Sequence, residues 1–155
     1  KDVHGVGCYG FLSKPQASFK RKHYNTGAVK PTHDQHVPMV LENKWYILEA
    51  IEGLWDENDP VGSLDMSILQ KNLFQPLLGI EDQRRDKRID FVGGIRGLDA
   101  LEKRVKSGEC KLAFAIYPTS IKSLMAIADA GEVMPPKSTW FEPKLKSGLF
   151  VHMLD

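Results

Sequence analysis

The stretch Lys111 to Gly131, KLAFAIYPTSIKSLMAIADAG, constrains the fold more than any other part of this chain. Lys111 to Tyr117 is apolar at both odd and even positions, which is the pattern of a strand buried between two layers. Within three residues the period changes. Thr119 or Ser120 stands as an N-cap, and Ile121, Leu124, Met125 and Ala128 then recur at i, i+3, i+4 and i+7, with Gly131 just past the end. A buried strand that runs directly into an amphipathic helix calls for packed layers of sheet and helix.

The same order stands upstream. Ile89-Asp90-Phe91-Val92 reads as a short strand, Gly93-Gly94-Ile95-Arg96-Gly97 as a turn, and Leu98, Leu101 and Val105 as one helix face closed by Gly108. Strand, helix and strand in this succession predict a βαβ unit with parallel strands and a right-handed crossover. Earlier, MVLENKWYILEAI sets two apolar runs around Glu42-Asn43-Lys44, a hairpin signal. After a loop from Gly53 to Ser63, a helix is expected with Ser63 or Asp65 as cap and Met66, Leu69 and Leu73 on one face, stopped by Pro76 and Gly79. Ile80 to Arg88 reads as an exposed connection, Val6 to Leu12 as a possible first strand and Gly148 to Leu154 as the last. The expectation is an α/β fold, with α+β as the alternative. It has a mixed sheet with one right-handed βαβ unit, three main helices and an N-terminal hairpin. Residues 1–37 are poorly defined by pattern.

A chain of 155 residues fits one domain, and at that size folding buries roughly 68–70% of the surface of the unfolded chain. Cys8 and Cys110 are far apart, so neither a disulfide framework nor a zinc module is indicated, and a reducing cytoplasm fits. A net charge of +1 lacks the basic excess of a dedicated DNA-binding domain, leaving Lys20-Arg21-Lys22-His23 as the only basic run that argues for nucleic acid. No apolar run approaches the roughly 20 residues that span a bilayer, so no membrane partner is expected. The chain starts on Lys1, which is read as the mark of a fragment, the C-terminal part of a longer protein.

Two kinds of segment suit an anion. Gly93, Gly94 and Arg96, and Thr119 and Ser120, each lead into a helix N-terminus, where free amides and the helix dipole favour negative charge. If the strands before them are parallel, both turns share one sheet edge. The third segment is Met134 to Leu145, MPPKSTWFEPKL, in which two prolines stiffen the chain and Lys137, Ser138 and Thr139 supply a point charge and two hydroxyls. Each has a structural alternative. The glycine turns can be ordinary helix starts, and Trp140 and Phe141 can anchor a core while Ser138 and Thr139 satisfy local backbone. Neither GxGxxG nor GxxxxGKS/T is present. His33 and His36 lack the third ligand that zinc requires, so no metal site is expected. Cys110 reads as a small core residue, and the acid pairs Glu81-Asp82 and Asp56-Glu57 as loop solubility.

The run from Arg88 to Val151 resembles the C-terminal part of the bacterial family called domain of unknown function 1015. The residues that carry the resemblance are Phe91 to Gly94, Pro118 to Ser120, Ala128 to Gly131, Met134 to Thr139 and Lys144 to Leu149, with Lys44-Trp45-Tyr46 and Leu77 to Ile80 upstream. What the resemblance implies is a longer protein whose earlier half carries a Gly-His-His-Arg type motif. Its fold would be related to partition proteins, sulfiredoxin and a free-serine kinase. It implies a nucleotide, with or without Mg, as ligand, and kinase-like phosphoryl transfer in the full-length protein, with the missing N-terminal half as partner. This chain has no adjacent histidine pair, so the piece alone is expected to be inactive. The resulting expectation is a domain that binds a phosphorylated ligand or nucleotide through Lys137, Ser138, Thr139, Gly93, Gly94, Arg96, Thr119 and Ser120. A non-catalytic structural or protein-interaction module is the alternative.

Overall fold

The structure, a computed structural model, describes residues 18–24 and 27–135. Four strands form one sheet: β1 (Phe19–Tyr24), β2 (His36–Leu41), β3 (Lys44–Ala50) and β4 (Leu112–Phe114). The spatial order is β1-β3-β2-β4 and every pairing is antiparallel. The expected hairpin is β2–β3, closed by the two-residue turn Glu42-Asn43 with φ of 50° and 61°. Positive φ at both central positions gives a turn whose twist matches that of the strands, and asparagine tolerates it.

Helical structure follows in three blocks. The first runs without a break through α1 (Asp65–Leu69), a π turn (Gln70–Phe74) and α2 (Gln75–Leu78). Pro76 does not stop it. A proline lacks the amide that an α-helix needs and crowds the carbonyl four residues back, and the wider π coil just before Pro76 accommodates both defects. Gly79, at φ 60°, makes the stop, a left-handed cap that costs glycine little. Arg88 donates from Nη1 to the Leu78 carbonyl and from Nη2 to that of Gly79, 3.0 Å each, and so caps the same helix end from the following loop. Ile80 is buried, so the segment Ile80 to Arg88 is tied to the core at both ends rather than being merely an exposed connection. The second block is a short 3-10 turn (Gly94–Arg96) leading into α3 (Gly97–Lys106), and the third is α4 (Ile121–Asp129).

The fold is therefore mixed α/β; among the described residues there are a hairpin and three helical blocks, the sheet is antiparallel and the βαβ unit is not formed. Ile89 to Val92 pairs with no strand. Its Asp90 carboxylate instead accepts the Phe91 amide, 2.8 Å, and binds the Arg104 guanidinium. β4 pairs antiparallel with β2 and is cut short by Pro38. The Ala115 amide donates to the Pro38 carbonyl, 2.8 Å, but proline has no N–H to return the bond, so the ladder ends at Phe114.

Two apolar clusters sit on the two faces of this sheet. On the inner face Phe19, Val37, Met39, Leu41, Leu48 and Ala50 pack with Ile68, Leu69, Leu73, Phe74, Leu78 and Ile80, all buried. On the outer face Val40, Trp45 and Ala113 meet Val105, Leu98 and Leu101 of α3, with Cys110 beside them. Trp45 donates from Nε1 to Glu102 Oε1, which fixes α3 across the sheet. α4 turns a different side inward than its apolar spacing suggests. Ile127 is buried, whereas Ile121 is 74% and Met125 59% exposed. With apolar residues also at 124, 126 and 128, more than one side of this helix is apolar, so the period alone does not select a face. Among the described residues no helix is long and apolar enough to cross a membrane. The expected strands Val6 to Leu12 and Gly148 to Leu154 lie outside the described residues.

Candidate anion-binding site

α3 covers only one end of the outer sheet face. The covered rows run across the strands through Tyr24, Trp45, Val40 and Ala113, in register. Two rows away, Lys20 stands opposite Glu49 and Glu49 opposite His36; in between, Lys22 stands opposite Ile47 and Ile47 opposite Pro38. Side chains alternate along a strand, so Lys20 and Lys22 emerge on one side, together with His36, Ile47 and Glu49. With the loop residues Thr32 and His33 they line a hollow of about 310 Å³. Arg21 borders it too, but alternation sends its side chain to the other face, where Cζ lies 5.9 Å from the Tyr46 ring centre.

The loop that carries Thr32 and His33 is held firmly. Gln35 has φ 64°, and its three polar backbone and side-chain anchors fix that bend. Its amide donates to Asp65 Oδ1, 2.6 Å, its Nε2 to the Ser63 carbonyl, 3.2 Å, and its carbonyl accepts the Ala50 amide, 3.0 Å. Asp65 is only 6% exposed. Burial pushes its carboxyl above the usual range, opposed first by the Gln35 amide and less by the Tyr117 amide and His33, while Asp34 adds to the rise. Above the hollow the His33 and His36 rings lie 5.0 Å apart at 48°. The Thr32 amide donates to His36 Nδ1, 3.3 Å, and His33 Nδ1 lies 2.7 Å from the Asp34 carbonyl. Burial holds the His36 imidazole below its ordinary value, His33 lowers it further, and Glu49 pulls it back up.

Two lysines therefore share the hollow with one glutamate, two histidines and a threonine. Lysine offers a point charge with three donors, and histidine a directional donor, the combination that receives phosphate or carboxylate oxygens. Among the described residues no group of three or more His, Cys, Asp or Glu side chains is placed to hold a metal ion. His33 and His36 share the hollow with Lys20, Lys22 and Glu49.

The residues singled out from sequence fall elsewhere. Gly93, Gly94 and Arg96 form the exposed turn ahead of α3, with the Arg96 amide donating to the Gly93 carbonyl, 3.0 Å. A Cβ at Gly93 or Gly94 would meet nothing within 4 Å, so the fold itself does not demand glycine there. Ser120 caps α4 as expected: its Oγ accepts the Ser123 amide, 3.0 Å. Thr119 is half-buried just before it. The parallel sheet edge that would set these two turns side by side is not formed, because β4 is antiparallel and Ile89 to Val92 is not a strand. Lys137, Ser138 and Thr139, with Trp140 and Phe141, lie outside the described residues. From sequence, Lys20 and Lys22 enter only as part of a basic run that argues for nucleic acid, Thr32 and Glu49 do not enter, and His33 and His36 enter only as zinc candidates. The legible signal was a pair of lysines two apart, Lys20 and Lys22, followed by two histidines, His33 ahead of β2 and His36 at its first residue. Cys110 is half-buried beside α3, and burial pushes its thiol up, as for a packing residue.

Compared with known proteins, the chain matches no family model, no curated protein and no solved structure.

Proposed function

We propose that this chain binds a phosphorylated small molecule, with a nucleotide as the favoured class, and that the basic hollow on the outer sheet face is where it holds the phosphate. One observation carries the reading: Lys20, Lys22, Thr32, His33 and His36, from two strands and a pinned loop, line one hollow of about 310 Å³ in which Glu49 is the one acidic residue. That volume accepts a phosphate with part of the group attached to it, at the lower end of small-molecule sites. Phosphoryl transfer in a longer protein, for which Gly93, Gly94, Arg96 and the Lys137-Ser138-Thr139 segment were singled out, is the extension that the family resemblance implies.

The test is calorimetric titration of ADP and ATP, with and without Mg, into the full chain and into a Lys20→Ala/Lys22→Ala double variant. Loss of two charge-assisted contacts is expected to weaken binding by about tenfold or more. Affinity is also expected to fall as salt rises, since both lysines are exposed. Equal affinity in parent and variant overturns the assignment. A nucleic-acid stripe is less well supported, because alternation splits the basic run between the two sheet faces: Lys20 and Lys22 on one, Arg21 and His23 with Tyr46 on the other.

A second reading, a protein-interaction module, is favoured by the side chains of Ile121, Met125 and Val133, which stand 59–79% exposed on and just after α4. Single exposed apolar residues are ordinary, but Ile121 and Met125, four residues apart, lie on one side of α4. Met125→Glu should abolish partner capture while leaving ADP affinity unchanged if that reading holds.

A further inference from the structure

The two histidines over the hollow are not equivalent, and their hydrogen bonds assign them different protons. The Thr32 amide can only donate, so His36 Nδ1 must present its lone pair, and the neutral ring carries its hydrogen on Nε2. The Asp34 carbonyl can only accept, so His33 Nδ1 carries the hydrogen and the lone pair is left on Nε2. A second proton on His36 would set N–H against the Thr32 N–H and break that bond. A second proton on His33 enters at Nε2 and breaks nothing. The rings are 5.0 Å apart, close enough for one charged imidazole to discourage the other.

We propose that the hollow takes up one proton together with a dianionic phosphate monoester, and that His33 Nε2 receives it while His36 stays neutral as an Nε2–H donor. This rests on the function proposed above. The hollow is lined by the cations Lys20 and Lys22 on β1 and the carboxylate Glu49 on β3, with Asp34 beside His33 in the loop and Asp65 at the start of α1 holding that loop. A phosphate monoester brings about two negative charges above its second pKa of about 6. Those charges favour a second proton on the nearest ring whose protonation costs no bond. Neutral His33 presents a lone pair on Nε2; protonated, it presents a donor. The proton comes from the buffer and ends on Nε2, so the complex gains one H⁺ and no covalent bond changes.

The experiment is titration of ADP, and of sulfate as a dianion that does not itself titrate, into the full chain in two buffers of different ionisation enthalpy. Histidine-ring nitrogen NMR is recorded on the same samples. The expected result is net proton uptake on binding, with affinity falling by up to about tenfold per pH unit as pH rises above the ordinary histidine range, the limit for one linked proton. The NMR should find opposite tautomers for the two free rings and a doubly protonated His33 beside a neutral His36 in the complex. His33→Gln should bind with no proton uptake and a flat pH profile, while His36→Gln keeps the uptake. Binding without uptake, uptake that survives His33→Gln, or a doubly protonated His36 overturns this inference alone. Absence of any binding by ADP and sulfate overturns it together with the function it rests on.

Discussion

Asp65 was expected, with Ser63, as a cap for its own helix, yet Leu64 holds the cap position and Asp65 is the first helical residue. Its carboxylate reaches instead to an amide thirty residues earlier in sequence and fixes the loop that carries His33. No local pattern reveals such a partner, because the bond depends on how β2 and α1 are brought together. The same holds for Lys20 and Lys22, whose shared side of β1 is readable only once the segment is known to be a strand. The consequence of burying Asp65 is a sign. Its folded value is raised, so the neutral form is the one that folding favours, and this contribution is present at low pH and lost as pH rises through the folded value. Asp65→Asn keeps the oxygen that accepts the Gln35 amide and removes the charge. Urea unfolding should find it as stable as the parent, or more so, at about pH 8, and with a smaller gain on acidification. Asp65→Ala strands the amide and should cost about 1–3 kcal/mol at any pH. Equal losses in both variants across the pH range would mean that the charge has no part in the effect. His36 runs the opposite way. Its value is depressed, so its contribution is complete above the ordinary histidine range and lost as pH falls through the folded value.

At the level of elements, legibility followed locality. The β2–β3 hairpin was readable because its turn, Glu42-Asn43, is specified by its own two residues. Asn43→Val, a β-branched residue at φ 61°, should cost about 1–2 kcal/mol, whereas Asn43→Gly should be neutral or slightly stabilising; thermal melts of both variants check this. Equal stability of the Val variant would mean that the turn adopts another conformation. α3 and its Gly108 stop were also readable, and so was the Ser120 cap. The βαβ unit was not. Apolar runs at 89–92 and 111–117 report burial without naming a partner, and what ends the β4 ladder is Pro38, more than seventy residues earlier in the chain. Pro38→Val supplies the missing amide, and slower hydrogen exchange at residues 115–117 is expected if proline is what ends the ladder.

At the scale of the molecule, the decisive feature is that the sheet of the described residues is packed on both faces, the inner by the first helical block and one end of the outer by α3. The composition and the strand-then-helix order were enough to foresee packed layers. They did not foresee that, among the described residues, α3 covers one end of the outer face and the hollow lies beyond it. Leu73 is fully buried on the inner face and Val105 on the outer is 8% exposed, and the two belong to separate clusters. Leu73→Ala should cost about 2–5 kcal/mol. Val105→Ala, which removes two methyl groups, should cost about 1.5–3 kcal/mol. With the sheet between them and no shared side chain, the double variant should lose the sum within about 0.5 kcal/mol. It should still unfold in one transition, since both faces belong to the same strands. A large interaction energy would mean that the sheet shifts to relieve one side when the other is cut. Because the Lys20, Glu49 and His36 row lies beyond α3, Val105→Ala should leave ADP affinity unchanged while Asp65→Ala, which frees the loop of His33, weakens it. An affinity that falls in step with stability in both variants would instead make the hollow a property of overall packing, with no separate site to assign.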